Sequence, residues 1–458
     1  MPVRSQNTGC RDFRNSLVSR RDVLRMGVLG AGGIWGLNLP QLLQAEQSTK
    51  STSEKSLIIL WMRGGPSHID MWDPKPHAPT KYRGEFGTIS TGVPGIHLSD
   101  MMPMCGKVMD KWSMIRSLHH HDAGHSAADQ ICFTGYDNGP QPDVNIHPSI
   151  GSIVSKQQSH LSPDLPSYVM IPRMVPGTGA AYLGPSHKPF ETQADPANPG
   201  PFKMQNFELP SGVTTGRSDE RRSLLEHFDG FRREIDAAGE MRAMDDFQAK
   251  AFEILSSTRT QQAFDLDAEP DHIRQRYGFQ AAFDPGASNR CGAPAWSQRI
   301  LLARRLVEAG VRLVTVDLRW WDTHVQGFDS LRRGFLPRYD QAYSALIEDL
   351  DQRGLLDSTM VVSWGEFGRT PRVNKDAGRD HYPNVFSAAV AGGGIQGGRA
   401  IGESDTKGAF PKANPKTPQD VLATMYRHLG IDTEMKYLDH NGRPYPVLPS
   451  GTPIDELF

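Results

Sequence analysis

The chain is poor in cysteine and carries no surplus of either charge. Of its four cysteines, Cys10 lies near the N-terminus, and Cys105, Cys132 and Cys291 remain as an odd set without C-x-x-C spacing. No disulfide framework can be read from them, and thiolate ligation of zinc is not indicated. Lys and Arg total 50 against 52 Asp and Glu, a formal net charge of -2. Without a clustered basic excess there is no electrostatic footprint for nucleic acid, and that class of partner is set aside. The most apolar run, MGVLGAGGIWGLNLP, is interrupted by Gly and Asn and is too short for a membrane span. No internal repeat is present. What remains is a chain of 458 residues with 38% hydrophobic content, long enough to bury a sizeable core in one large domain with insertions or in two domains.

The N-terminus contains SRRDVLR at residues 19–25, with Arg20 and Arg21 ahead of that apolar run and a small residue at Ala45. This resembles a twin-arginine (Tat) export signal over residues 1–45, the alternative being a short N-terminal helix with incidental arginines. Export to a periplasmic or extracellular location is therefore expected. Cargo of that pathway is usually exported folded and often carries a metal or cofactor, which points towards metal chemistry.

Residues 46–458 alternate short β-branched or apolar runs with helical patterns, the signature of a layered α/β domain with a mainly parallel sheet. The expected strands are SLIILW (56–61), WSMIRS (112–117), RLVTVDL (312–318), TMVVSW (359–364) and VFSAAVAG (385–392). Tyr343, Leu346, Ile347 and Leu350 fall at i, i+3, i+4 and i+7 and predict a helix with one apolar face. Thr417, Pro418 and Asp420 predict an N-cap, a first helical residue and a first-turn acid for a terminal helix. Residues 186–294 are expected to form a loop and helical insertion, in which Leu224, Phe228, Phe231 and Ile235 keep helical spacing. A dimerising coiled coil is the alternative there, although the apolar seam is short.

Open α/β sheets bind ligands at the carboxyl ends of their strands, and His and carboxylate residues gather there. RGGPSHID follows the first strand with Arg63, Ser67, His68 and Asp70; HHHDAGHSAAD follows the second; WWDTHVQGF follows the third with Asp322 and His324; GEFGRTP follows the fourth with Glu366 and Arg369; and GRDHYP, with Arg379, Asp380 and His381, leads into the fifth. A single His or Asp on a loop is commonly a cap or a surface group. Asp322 and His324, two apart, can face one ion from an extended loop, whereas Asp380 and His381 are adjacent and need an irregular backbone. His119, His120 and His121 cannot all face one site, because an extended segment alternates its side chains. Mixed carboxylate and imidazole ligands suit zinc, calcium or manganese more than copper. Trp320, Trp321 and Tyr382 can stack on a sugar ring or pack in a core.

From YDQAYSALIEDLDQRGLLDSTMVVSWGEFG the chain resembles the alkaline phosphatase and sulfatase superfamily, in which such a helix, turn and buried strand lead to a metal-binding Asp-His-Gly end. Here that end is Glu366-Phe367-Gly368. GGPSHIDMWDPKP, GEFGRTP and GRDHYP are similar to the domain of unknown function 1501 family, an exported branch of that superfamily, and the resemblance spans about residues 55 to 450. It implies a three-layer α/β sandwich. It also implies metal ligands at His68 or Asp70, at Asp322 and His324, at Glu366 with Phe367 in the place of a ligand His, and at His381. HSAADQICFTG (125–135) resembles the helix that carries the nucleophile and places His125 and Ser126 there.

Two functions follow. One is a metal-dependent hydrolase of phosphate or sulfate esters, on a small or polymeric substrate, with Arg369, Arg63 or Arg379 neutralising the non-bridging oxygens. The other is a non-catalytic binding or structural descendant, which the Phe367 replacement favours. Glu366 is expected to ligate metal, the alternative being a salt bridge to Arg369.

Overall fold

SLIILW forms a strand buried at all six positions. Its residues alternate between two cores: Ile58 and Leu60 join one, and Leu57, Ile59 and Trp61 the other. A strand covered on both faces belongs at the centre of a layered sheet. The computed structural model describes residues 55–198, 200, 202 and 257–458. The expected export signal and the spacing of Leu224, Phe228, Phe231 and Ile235 lie outside the described residues.

The main sheet has eight strands: β1 (Ser56–Trp61), β2 (Trp112–Leu118), β3 (Tyr168–Ile171), β4 (Phe190–Glu191), β5 (Leu313–Asp317), β6 (Thr359–Trp364), β7 (Phe386–Ala391) and β8 (Ala400–Ile401). Their spatial order is β8-β2-β7-β6-β1-β5-β3-β4. Every pairing is parallel except those of β7, which runs antiparallel to both β2 and β6. β1 is in register with both neighbours, Ile59 opposing Thr315 on one side and Val362 on the other. The five strands expected from the sequence are observed to within one residue at each end. β3 was not anticipated because YVMI is four residues long between prolines, too short for a periodic signal.

Among the described residues, the five helices of nine or more residues complete three layers. α1 (His125–Thr134), α2 (Ile150–Gln158) and α5 (Pro418–Leu429) cover one face, and α3 (Ser297–Ala309) and α4 (Leu336–Gln352) the other. In α4 the predicted stripe of Tyr343, Leu346, Ile347 and Leu350 is fully buried. α5 starts as predicted, with the Thr417 hydroxyl accepting from Asp420 N and the Asp420 carboxylate accepting from Thr417 N at 2.8 Å, a reciprocal cap. Because β1, β2, β5 and β6 run the same way, their carboxyl ends share one edge. β7 runs against them, so its incoming end lies there too.

Two imidazoles outside that edge cluster make the fold sensitive to acid. His428 in α5 donates Nε2–H to Ser56 O at 2.9 Å, and His68 donates Nε2–H to Gly408 O at 2.9 Å. Burial pulls each down to about 4. The unfolded rings titrate near 6.5, so between these values the unfolded chain binds more protons. Stability is therefore fully present above about pH 6.5 and falls as pH drops towards 4, by on the order of 3 kcal/mol per ring. Thermal melts of wild type and His428→Asn across this range should show a shallower decline in the variant.

Candidate metal centre

After β1 the chain turns through Gly64 and Gly65, with φ of +109° and +79°. A Cβ on Gly64 would lie 2.4 Å from Trp321 N, and one on Gly65 would lie 2.5 Å from the Phe367 ring. Only glycine lets this turn touch both the loop after β5 and the loop after β6. The backbone at the turn does the positioning. Gly64 N donates to Glu366 Oε1 at 2.7 Å, Gly65 O accepts from Arg369 Nε at 2.9 Å, and Gly64 O accepts from Arg369 Nη2.

Glu366 and Arg369 are therefore neighbours that bind different partners. Glu366 is fully buried. Its Oε1 also meets His125 Nδ1, the first residue of α1, at 2.6 Å, while Oε2 has no partner among the described residues. Arg369, also fully buried, places Nη2 2.5 Å from Asp322 Oδ1 and donates Nη1 to Arg379 O at 3.1 Å. The salt bridge between Glu366 and Arg369 weighed from the sequence is not formed.

Asp322 is the centre of the cluster. Its Oδ1 lies 2.9 Å from His381 Nε2 and 2.9 Å from His324 Nε2, and the two Nε2 atoms are 3.0 Å apart. His125 Nε2 lies 3.6 Å from Asp322 Oδ2, an ion-pair contact longer than a hydrogen bond. The far side of each ring sets its tautomer. His381 Nδ1 faces Ala123 O at 2.8 Å, and His324 Nδ1 faces Asp380 Oδ1 at 2.8 Å. Carbonyl and carboxylate oxygens accept, so both Nδ1 atoms carry the hydrogen and both Nε2 lone pairs point inward. Three acceptors within 3.0 Å of one another repel unless positive charge lies beside them; Arg369 answers Asp322 at 2.5 Å and lies 3.4 Å from His324 Nε2, and His381 Nε2 is left to a cation. Donors about 2.1 Å from an octahedral ion, at right angles, lie roughly 3 Å apart, so the donor set fits a divalent cation. His125, Asp322 and His381 likewise each offer one ligand atom within 4.8 Å of the others.

The local field supports this arrangement. Burial alone would raise the Asp322 carboxyl, but the His125 contact and the charge of Arg369 hold it far below the usual carboxylate range. Burial alone would lower His125, yet the Asp322 and Glu366 carboxylates pull it up to about 9. Arg63 flanks the cluster: Nε donates to Asp129 Oδ2 at 2.8 Å, Nη2 lies 3.4 Å from Ser126 Oγ, and the guanidinium stacks 4.6 Å from the Trp320 ring. Trp61 Nε1 holds the other Asp129 oxygen at 3.1 Å. Burial and the nearby Glu366 charge raise the Asp129 carboxyl despite Arg63.

The structure thus brings together His125, Ser126, Asp322, His324, Glu366, His381, Arg63 and Arg369, with Asp380 behind His324 as its hydrogen-bond acceptor. Three sequence candidates stand apart. His68 turns Nε2 onto Gly408 O, and Asp70 and Arg379 form a buried bidentate ion pair at 2.7 and 3.1 Å, Asp70 also accepting from Ser67. Arg379 donates its remaining hydrogens to the carbonyls of Thr370, Pro371 and Tyr82, so it faces no crevice. Of the three consecutive histidines, His120 reaches Glu366 O at 2.5 Å and His121 pairs with Asp137 in solvent. Trp321 is core, stacked 5.4 Å from Trp296, whereas Trp320 stays half-buried beside His125. The roles of Asp129 and Ala123 O were missed. A helical i, i+4 spacing from His125 could have suggested Asp129; no residue-type signal marks a carbonyl.

The family model described as Protein of unknown function (DUF1501) matches residues 54–458. The chain belongs to this family. No curated protein sequence matches the chain. Among solved structures, the phosphonate monoester hydrolase SpPMH from Silicibacter pomeroyi is similar at 11% identity and TM-score 0.35, over 88% of this chain and 78% of that one. The PsFucS1 sulfatase from Pseudoalteromonas sp. is similar at 11% identity and TM-score 0.33, over 86% and 72%. The lipoteichoic acid synthase LtaP from Listeria monocytogenes is similar at 10% identity and TM-score 0.32, over 85% and 78%. As a DUF1501 chain it carries the α/β three-layer architecture expected from its sequence.

The Gly64 turn gives a direct test. Gly64→Ala should cost about 3 kcal/mol or more in denaturant unfolding, because a positive φ is joined by a backbone clash. Gly95→Ala, at φ +83° with nothing within 4 Å, should cost only about 1 kcal/mol. Equal losses would show that the contact with Trp321 does not constrain the turn.

Proposed function

We propose that this protein is a divalent-metal-dependent hydrolase of phosphate or sulfate esters, exported through the Tat pathway to the periplasm or beyond. The observation that carries the reading is the convergence of Asp322 Oδ1 with the inward Nε2 lone pairs of His324 and His381, each backed by an acceptor that fixes its tautomer. These three residues would hold zinc, calcium or manganese. The bound ion would polarise the ester oxygen and activate a water or hydroxyl.

The chain's own groups divide the remaining work. Arg63 is fixed through Nε to Asp129, which leaves its terminal nitrogens to neutralise charge on the non-bridging oxygens. Arg369 has its donors engaged by Gly64, Gly65, Arg379 and Asp322, so it anchors Asp322 instead of gripping substrate. Ser126 Oγ, beside Arg63 at the start of α1, is the nucleophile candidate. His125 is oriented by Glu366 through Nδ1, so Nε2 faces the crevice, where it can give or take the proton of the attacked or departing oxygen.

One observation favours the non-catalytic reading. Phe367 is fully buried, with its ring 4.5 Å from that of His381 and 5.2 Å from that of His125, and it offers no ligand beside Glu366. Elemental mass spectrometry of the purified protein, with a screen of phosphate and sulfate monoesters, separates the two. Stoichiometric divalent metal is expected in wild type and should be lost in Asp322→Asn and His381→Ala, with turnover falling at least roughly 100-fold. Metal without turnover of any ester would favour a binding protein. Folded protein without metal would overturn the proposal.

A further inference from the structure

At the carboxyl ends of β3 and β5, beside the cluster, a cavity of about 400 Å³ opens. Its acidic groups are already matched. Both oxygens of Asp195 accept from Arg299, which also donates Nη1 to Asp317 O at 2.6 Å. Both oxygens of Asp317 accept from Arg319, through the backbone N–H at 3.0 Å and through Nε. What faces the cavity unmatched is rich in donors. The exposed Arg173 guanidinium, the terminal nitrogens of Arg319 and the side-chain amides of Gln193 and Asn198 find no hydrogen-bond partner among the described residues.

Trp320 links Arg319 of the cavity to the flank of the metal centre. Trp320 has the Arg319 guanidinium 5.1 Å from its ring, the Arg63 guanidinium at 4.6 Å, and the His125 ring edge-on at 5.9 Å. One indole therefore contacts both an unmatched donor of the cavity, Arg319, and two residues proposed to act on an ester.

Resting on the hydrolase reading above, we infer that this cavity is a second subsite that binds another anionic group of the same substrate, so that the substrate is a polyanion. Two guanidiniums with free terminal N–H groups, supported by amides, suit sulfate, phosphate or carboxylate oxygens. The half-buried Trp320 face between them suits the carbon skeleton that joins the two groups.

The test uses the full chain and does not require turnover. Binding of tungstate, a tetrahedral oxyanion, is measured by titration calorimetry in wild type, in Arg173→Gln, in the double variant Arg173→Gln/Arg319→Gln, and in Asp322→Asn. The double variant should lose at least about tenfold in affinity for a site that Asp322→Asn retains. Arg173 is exposed and has no partner among the described residues, so Arg173→Gln should keep the fold and itself weaken binding. No binding, unchanged binding in the double variant, or loss only in Asp322→Asn would overturn the subsite. A second arm compares a methyl glycoside disulfate with its monosulfate. A preference of about tenfold or more for the disulfate in wild type, abolished in the double variant, places the second anion on the substrate. Equal affinities with tungstate binding intact would mean a pocket for a free oxyanion and would overturn the inference. Metal content is read in the same samples, so loss of the hydrolase reading and loss of the subsite are seen separately.

Discussion

The site depends on how closely the backbone at Gly64 and Gly65 lets other loops approach. With no side chain in the way, one turn supplies an N–H to Glu366 and two carbonyls to Arg369. Glu366 then orients His125, and Arg369 then anchors Asp322. Both halves of the metal centre are thus suspended from three backbone atoms that never face substrate. Each is a buried, charge-assisted hydrogen bond of roughly 1.5–3 kcal/mol. Because they lie in one network, removing any of them disturbs the others and the losses do not add.

Charge balance explains why the cluster attracts a cation. Glu366 and Asp129 are fully buried and Asp322 is half-buried beside them, and Arg63 and Arg369 answer only Asp129 and Asp322. Leaving a buried carboxylate unanswered is costly. A proton held by the imidazoles, or a metal ion among them, completes the balance. The Phe367 ring packs against both His125 and His381 and closes one side of this centre without offering a ligand.

Much of the architecture was legible in the sequence, because strands buried on both faces appear as unbroken apolar runs and α4 and α5 carry clear periodicity and capping. The site was legible only in part. Asp322 and His324 were recognisable as a pair by spacing, but adjacency misled at Asp380 and His381. Side chains alternate, so His381 enters the cluster while Asp380 lies outside and supports His324. His68, Asp70 and Arg379 sit in the expected loops, yet they join a buried network that packs those loops together. Loop membership follows from sequence; the direction of a side chain within a loop does not. The pairing of His125 with Glu366, 241 residues apart, could come only from topology.

The reversed direction of β7 has a consequence for substitutions at this edge. The connection from β6 to β7 leaves and re-enters the sheet at the same edge, and this single excursion carries Glu366, Phe367, Arg369, Asp380 and His381. Elsewhere at this edge, each parallel strand sends its chain away to the opposite side before another can contribute. Residues 365–385 therefore supply, from one continuous stretch, a ligand, its supports and the anchors that tie them to the loop after β1. A substitution at Arg369 or Arg379 is therefore felt both in the ligand cluster or its surroundings and in the packing of the loop after β1.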